Sequence, residues 1–301
     1  MSRQKSIILM FAASLCWAAG FITMGSVLKS VNAVTLLFLR YSITAIVLVP
    51  IILKTERFDF PKKNNILPIA GMAVFNVLLM NLMMFEGYKT TTGTNISIIS
   101  AMNPLTISFW SFVILKVRFR WLQVLGAFVA FFGVLVMVFH GDLQALVSLQ
   151  FHQGDLWMIA AVFSFGLSAI CSRFATQSIS PLNALFYSSI IGLVVLLPMA
   201  ITSFSSPVWD AKLIGQILLI GVVSTALAQW FFNLSIKNLG AAESGFIINF
   251  NPVFGVLISL IFLGEMPVWG QLIGWLIIMG GTAMFYKKFL PKQAKDVIIN
   301  K

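Results

Sequence analysis

The residues of this chain best suited to chemistry are two Asn-Pro pairs and one arginine, all set in apolar surroundings. Asn103-Pro104 lies in "ISAMNPLT" (residues 99–106) and Asn251-Pro252 in "INFNPVFG" (residues 248–255), with Asn249 two positions before the second pair. A proline inside a helix removes a backbone donor and clashes with the carbonyl four residues earlier, here Ser100 and Ile248. In hydrocarbon, an unpaired backbone group costs several kcal/mol unless protein, water or ligand satisfies it. The chemistry expected is therefore non-covalent: amide groups and freed carbonyls gathered around a polar ligand. Arg40 is the only basic residue well inside an apolar run. It would hold a carboxylate, or else extend outward to the interface or pair with Glu86. Asn76 and Asn81, Gln229, and the aromatic pair Trp17 and Phe165 complete the set, with Ser100, Asn103, Pro104, Asn249, Asn251 and Pro252, expected to line a small-molecule site.

Other chemistries find less support. His140 and His152, with Asp142 and Asp155, fall in one segment and could bind zinc, but their spacing matches no tight motif and such loops are commonly just solvated. Cys16 and Cys171 lie inside apolar runs and form neither a disulfide framework nor a metal cage. No Gly-rich phosphate loop of the Walker type occurs, so direct ATP use is not supported and no cofactor is implied. An enzyme would need a nucleophile, an acid/base pair or a metal constellation, and none is evident.

The elements that must carry these residues are membrane helices. The chain is 59% hydrophobic and 10% charged, with mean hydropathy +0.97; an ordinary soluble domain is nearer about 25% charged. Ten runs of roughly the length needed to cross a bilayer are expected at Ser6–Leu28, Ala33–Leu53, Ile66–Phe85, Thr92–Leu115, Trp121–Phe139, Gly154–Ala175, Pro181–Thr202, Leu213–Asn233, Ala241–Leu263 and Val268–Tyr286. The first is too long for a typical cleaved signal core. With the N-terminus inside, sixteen basic residues fall on cytoplasmic segments, five of them lysines after Tyr286, against Lys29, Lys89 and Lys212 outside. The net charge of +11 thus reports topology rather than a nucleic-acid partner, and both termini are expected in the cytoplasm.

The two Asn-Pro pairs are 148 positions apart, and that shift aligns the halves without a gap. It superposes Ser30 on Ser178, Pro50 on Pro198, Lys89 on Lys237, Trp121 on Trp269, Gln123 on Gln271, Gly126 on Gly274 and Gly133 on Gly281. Residues 1–148 and 149–301 are read as a duplicated unit. Five helices per half is an odd number, so the second half runs through the membrane in the opposite sense. Such inverted repeats characterise secondary transporters, with the site near mid-depth at the repeat interface. The serine and glycine stripes beside the Asn-Pro pairs fit either cavity lining or close packing. The glycines at 126, 133, 274 and 281 need only close packing.

The stretch "LGAAESGFIINFNPVFGVLISLIFLGEMPVWGQLIGWLIIMGGTAMFY" and its fainter counterpart "YKTTTGTNISIISAMNPLTISFW…RWLQVLGAFVAFFGV" resemble the repeats of the drug/metabolite transporter superfamily, EamA branch, over about residues 6–286. The resemblance implies an all-α polytopic fold of ten transmembrane helices in two inverted five-helix repeats, in the bacterial inner membrane. It also implies export of a small metabolite such as an amino acid, with drug efflux as the alternative. Many relatives keep an acid at the position of Glu265 in both repeats, but here Val117 stands opposite it. Relatives that expel cations against protons use a glutamate in the middle of helix 1, and this helix 1 has no acid. Proton coupling stays open, as does the choice between monomer and homodimer; membrane lipid is the surrounding partner.

Overall fold

The computed structural model describes residues 1–91, 93–139, 152–204, 207–264 and 266–286, with backbone alone at 93, 94 and 263. His140, Asp142, Thr92, Glu265 and the lysines after Tyr286 lie outside the described residues. The helices are α1 (Arg3–Val27), α2 (Ala33–Thr55), α3 (Lys63–Thr90), α4 (Asn95–Val113), α5 (Trp121–Val138), α6 (Gln153–Ala175), α7 (Pro181–Ser203), α8 (Ala211–Leu239), α9 (Ala241–Phe262) and α10 (Trp269–Tyr286). Among the described residues, α1 to α9 are long and apolar enough to cross a membrane. The eighteen-residue α10 lies against α5. The ten expected spans reappear with ends shifted by a few residues, and no strand occurs among the described residues. The chain is an all-α polytopic membrane protein in two repeated halves.

Residues matched by the 148-position shift do equivalent local work. Asn32 caps α2, accepting from the Thr35 N–H at 2.8 Å, and Ser180 caps α7, accepting from the Asn183 N–H at 3.1 Å. Gln123 reaches back to the Arg120 N–H at 2.9 Å, as Gln271 does to the Val268 N–H at 3.1 Å. Each side chain satisfies a donor that a helix start leaves unpaired. The four glycines press α5 onto α10: a Cβ at Gly126 would stand 2.7 Å from Gly281 O, and one at Gly133 2.9 Å from Gly274 O. Only hydrogen fits in such a seam.

Helices α3 and α8 share a feature that composition does not announce. Each widens to a π-helix in its middle, over Ala73–Met80 and Leu219–Leu227. A π stretch misaligns the i→i−4 ladder, and in a bilayer the loosened carbonyls must find partners. Side chains supply them. Asn81 donates to Asn76 O at 2.7 Å and Val77 O at 3.2 Å, and Ser164 donates to Phe75 O at 2.7 Å. On α8, Thr225 donates to Ile220 O at 2.8 Å and Thr44 to Gly221 O at 3.0 Å.

The Asn-Pro breaks are resolved differently from the sequence expectation. In α4 a turn at 101–102 precedes a fresh helical segment beginning at Asn103. In α9 the residues Ile247–Phe250 form a 3₁₀ turn before a segment beginning at Asn251. Both prolines therefore sit in a first turn, where the missing N–H is one a helix start leaves free. Ile248 O is not orphaned, because it accepts from the Asn251 N–H.

Each end of the bundle is tied. Where α1 begins, Arg3 Nη2 lies 2.6 Å from Glu243 Oε1 on α9, and the Tyr286 hydroxyl of α10 donates to Glu243 O at 2.8 Å. At the opposite end, Asp155 of α6 accepts from Thr91, from Asn95 Nδ2 at 2.9 Å and from the His152 N–H at 2.7 Å.

Candidate functional site

Between these ends the helices enclose a cavity of about 70 Å³, lined by α1, α2, α3, α4, α6, α8 and α9. At roughly 10–15 Å³ for each water-sized occupant, it holds a handful of waters. Neither α5, α7 nor α10 contributes a lining residue, so the glycine seam of α5 and α10 stands apart from it.

Eight of the residues expected from sequence meet here: Trp17, Arg40, Asn76, Asn81, Asn103, Phe165, Gln229 and Asn251. Ser100, Pro104, Asn249 and Pro252 do not line it. Pro104 is buried in the α4 packing, and the 3₁₀ turn leaves Asn249 buried at 4% exposure without facing the cavity. Parts of the serine and glycine stripes are packing seams. Ser111 and Ser244 are fully buried, and a Cβ on Gly245 would stand 2.7 Å from Ile107 Cδ1.

Arg40 is turned into the bundle. Its Nε donates to Thr225 Oγ1 at 3.0 Å and its Nη1 to Asn81 Oδ1 at 3.2 Å, and Cζ lies 5.3 Å from the centroid of the Tyr41 ring. The expected alternative, a pair with Glu86, is not formed, because Glu86 binds Lys89 at 2.6 Å. An outward reach to the interface is likewise not what the geometry has. Both oxygens that hold Arg40 are themselves fixed by the π stretches, since Asn81 and Thr225 donate to the carbonyls of Asn76 and Ile220. The two irregular helix segments thus converge on one guanidinium.

A second group of side chains at the cavity is aromatic. Trp17 meets Phe165 at 6.2 Å and Phe232 at 5.2 Å edge-on, and Phe165 stacks on Phe232 at 5.6 Å. Phe21, Met24, Met80, Met84 and Ile248 add apolar surface. Asn103 and Asn251, equivalent under the repeat, both face the cavity, and the Oδ1 of each is buried with no hydrogen-bond partner among the described residues. A buried acceptor left without a donor costs about 1–3 kcal/mol. Phe21, Tyr41, Thr225 and the methionines also line the cavity and were not expected from sequence; Ser224, another lining residue, stands 148 positions after Asn76 and is found by the same shift.

The zinc reading finds no support in the part of it that is described. His152 Nδ1 stands 4.0 Å from Asp155 Oδ2, whose oxygens are taken up by hydrogen bonds, and no cluster of metal-ligating side chains occurs among the described residues.

A polytopic bundle of two repeated halves, tied at each end, around a cavity of polar and apolar side chains to which both halves contribute, has the form of a membrane transporter. The EamA-like transporter family model matches residues 4–139 and 152–287. The chain belongs to the EamA-like transporter family. It is similar to "Uncharacterized transporter YyaM" of Bacillus subtilis (strain 168), 26% identical over 252 residues that cover 81% of each chain. It is also similar to an "Uncharacterized transporter" of Archaeoglobus fulgidus, 23% identical over 281 residues, 93% of this chain and 96% of the relative. A solved structure described as "Crystal structure of protein" superposes with TM-score 0.80 at 18% identity, over 94% of this chain and 96% of the other, and shows the same fold.

Proposed function

We propose that this chain is a secondary active transporter that exports a small metabolite such as an amino acid, by alternating access around the Arg40 cavity. The observation that carries the reading is the cavity itself, where Asn103 and Asn251 face one space from equivalent positions of the two halves. A site shared by two repeats can open to either end when one repeat rocks against the other. The binding set is read as Arg40, Asn76, Asn81, Asn103, Gln229 and Asn251 for polar groups, with Trp17 and Phe165 as the apolar wall. Export, rather than uptake, is inferred from the resemblance to the drug/metabolite transporter superfamily. The placement is the bacterial inner membrane with both termini cytoplasmic, supported by the bias of basic residues toward one side. Efflux of drugs ranks second, since a cavity of about 70 Å³ is far below the roughly 300–1,000 Å³ of drug-sized sites.

The test is counterflow. Purified protein in liposomes preloaded with unlabelled amino acids and organic acids should accumulate the matching labelled compound. Leakage equal to that of empty liposomes for every compound would remove the transport reading.

A further inference from the structure

Resting on that transport reading, but replacing its example of an amino acid by a simpler acid, we propose that the cavity is built for a small, singly charged organic anion, a carboxylate on an apolar body, in preference to a zwitterion or a cation. The observation is a charge count. Among the described residues, Arg40 is the only charged side chain lining the cavity, and no acid accompanies it. The six carboxylates among the described residues lie at helix ends or in linkers: Glu56, Asp59, Glu86, Asp155, Asp210 and Glu243. Glu86 is spent on Lys89 and Glu243 on Arg3, Asp155 is held by hydrogen bonds, and Asp210 caps α8 through the Leu213 N–H at 2.6 Å.

Thr225 and Asn81 orient the guanidinium without neutralising it, because both offer uncharged oxygens. They occupy two of its N–H groups, and a guanidinium carries five. The remaining donors suit a carboxylate, which a planar fork binds in two parallel hydrogen bonds. A monoanion would bring the lining to neutrality. A zwitterion would bring its ammonium into a cavity that already holds the Arg40 charge, with no carboxylate among the described lining residues to offset it. A cation would be repelled outright, and in a low-dielectric interior that repulsion is weakly screened.

The repeat supplies a second, independent observation. The position equivalent to Arg40 in the other half is Ser188, whose hydroxyl donates to Leu185 O at 3.0 Å. The positive charge is therefore set in one half only, against an aromatic wall of Trp17 and Phe165 that draws on both. A ligand carrying its charge at one end and its apolar body at the other fits that polarity. Asn81 and Thr225 are positioning residues, each held by a π-segment carbonyl, and they fix where the charged end must lie.

The experiment compares three molecules of one skeleton, 3-phenylpropionate, L-phenylalanine and phenethylamine, and a smaller aliphatic set, butyrate, 2-aminobutyrate and propylamine. Binding to the purified full chain is measured by change in tryptophan fluorescence and by melting temperature. In at least one set the carboxylate should bind about tenfold or more tighter than the zwitterion, and the amine should not bind, as expected for charge-assisted bonds to an otherwise uncompensated cation. Arg40→Gln should remove that preference. Asn81→Asp places a carboxylate beside Arg40 and should remove it too while the protein still melts cooperatively, which a merely structural role for Asn81 does not predict. Equal or tighter binding of the zwitterion, no binding by either carboxylate, or an unchanged preference in both variants would each overturn the proposal. Carboxylate binding without counterflow would instead remove the transport reading and leave the charge preference standing.

Discussion

A guanidinium held by neutral oxygens keeps its full charge, and inside a membrane protein that charge has to be matched by something. Insertion scales put an arginine at the centre of a membrane helix at about 3 kcal/mol of cost. Arg40 meets that cost in part through Thr225 and Asn81 and through the Tyr41 ring. The partnerless Oδ1 atoms of Asn103 and Asn251 show a similar deficit on the facing helices. An anionic ligand relieves the first deficit, and water that donates to the two Oδ1 atoms relieves the second. Cysteines replacing Asn103 and Asn251, in a background lacking Cys16 and Cys171, should therefore react with a small water-soluble thiol reagent. Carboxylates that bind the parent protein should slow that reaction several-fold. If neither cysteine reacts, these positions do not reach an aqueous cavity and the proposed site is misplaced. Arg40 was legible in the sequence because a charge inside an apolar run has few other uses. Thr225 was not, since a membrane threonine usually bonds its own helix; its further role as an acceptor for Arg40 depends on how two helices converge. Asn249 looked equivalent to Asn251, yet Asn249 lies in the 3₁₀ turn and Asn251 begins the helical segment after it, and of the two only Asn251 faces the cavity.

Helices α3, α4, α8 and α9 carry the irregular stretches, and these lie at matching places in the two halves. The hydropathy pattern gave all ten helices and the 148-position repeat, because span length and small-residue seams are written in composition. It did not give the π segments, whose residues "AVFNVLLM" and "LIGVVSTAL" read as ordinary membrane helix. Nor did it give the way each Asn-Pro break is absorbed, since whether a proline interrupts a helix or begins one depends on the turn before it. With Pro104 and Pro252 at the start of new helical segments, little backbone hydrogen bonding is lost at either. On the proposed reading, they keep the two parts of α4 and of α9 mechanically separate. Pro104→Ala and Pro252→Ala should each change stability by no more than about 1 kcal/mol, because the first turn tolerates either residue. Counterflow should nonetheless slow, as the alanine lets the preceding turn join a continuous helix and stiffens the joint. The pair of measurements separates the roles: slowed exchange at unchanged melting temperature marks a hinge, and normal exchange in both variants reduces the prolines to packing residues.

At the scale of the whole molecule the two ends are closed by joints that the repeat makes equivalent. Asn95 and Glu243 are 148 positions apart, at the starts of α4 and α9, and each ties its helix to the start of α6 or α1 in the other half. One joint is an ion pair, Arg3 with Glu243; the other is a hydrogen-bonded cluster around Asp155. Alternating access needs one of them to open while the other holds, so the ends must face different compartments. On the proposed reading, ten spanning helices would place both termini on one side and the segment joining the halves on the other, and the sixteen-to-three bias of basic residues would put the termini in the cytoplasm. Reporter tags inserted after Asp142 and after Lys301 should therefore lie on opposite sides of the membrane. The tag after Lys301 should be active only with a cytoplasmic reporter, and the one after Asp142 only with an external one. Both tags on one side would mean that the halves are not inverted relative to each other. The two joints could not then guard opposite entrances to the Arg40 cavity, and a rocking exchange between them would have no geometric basis.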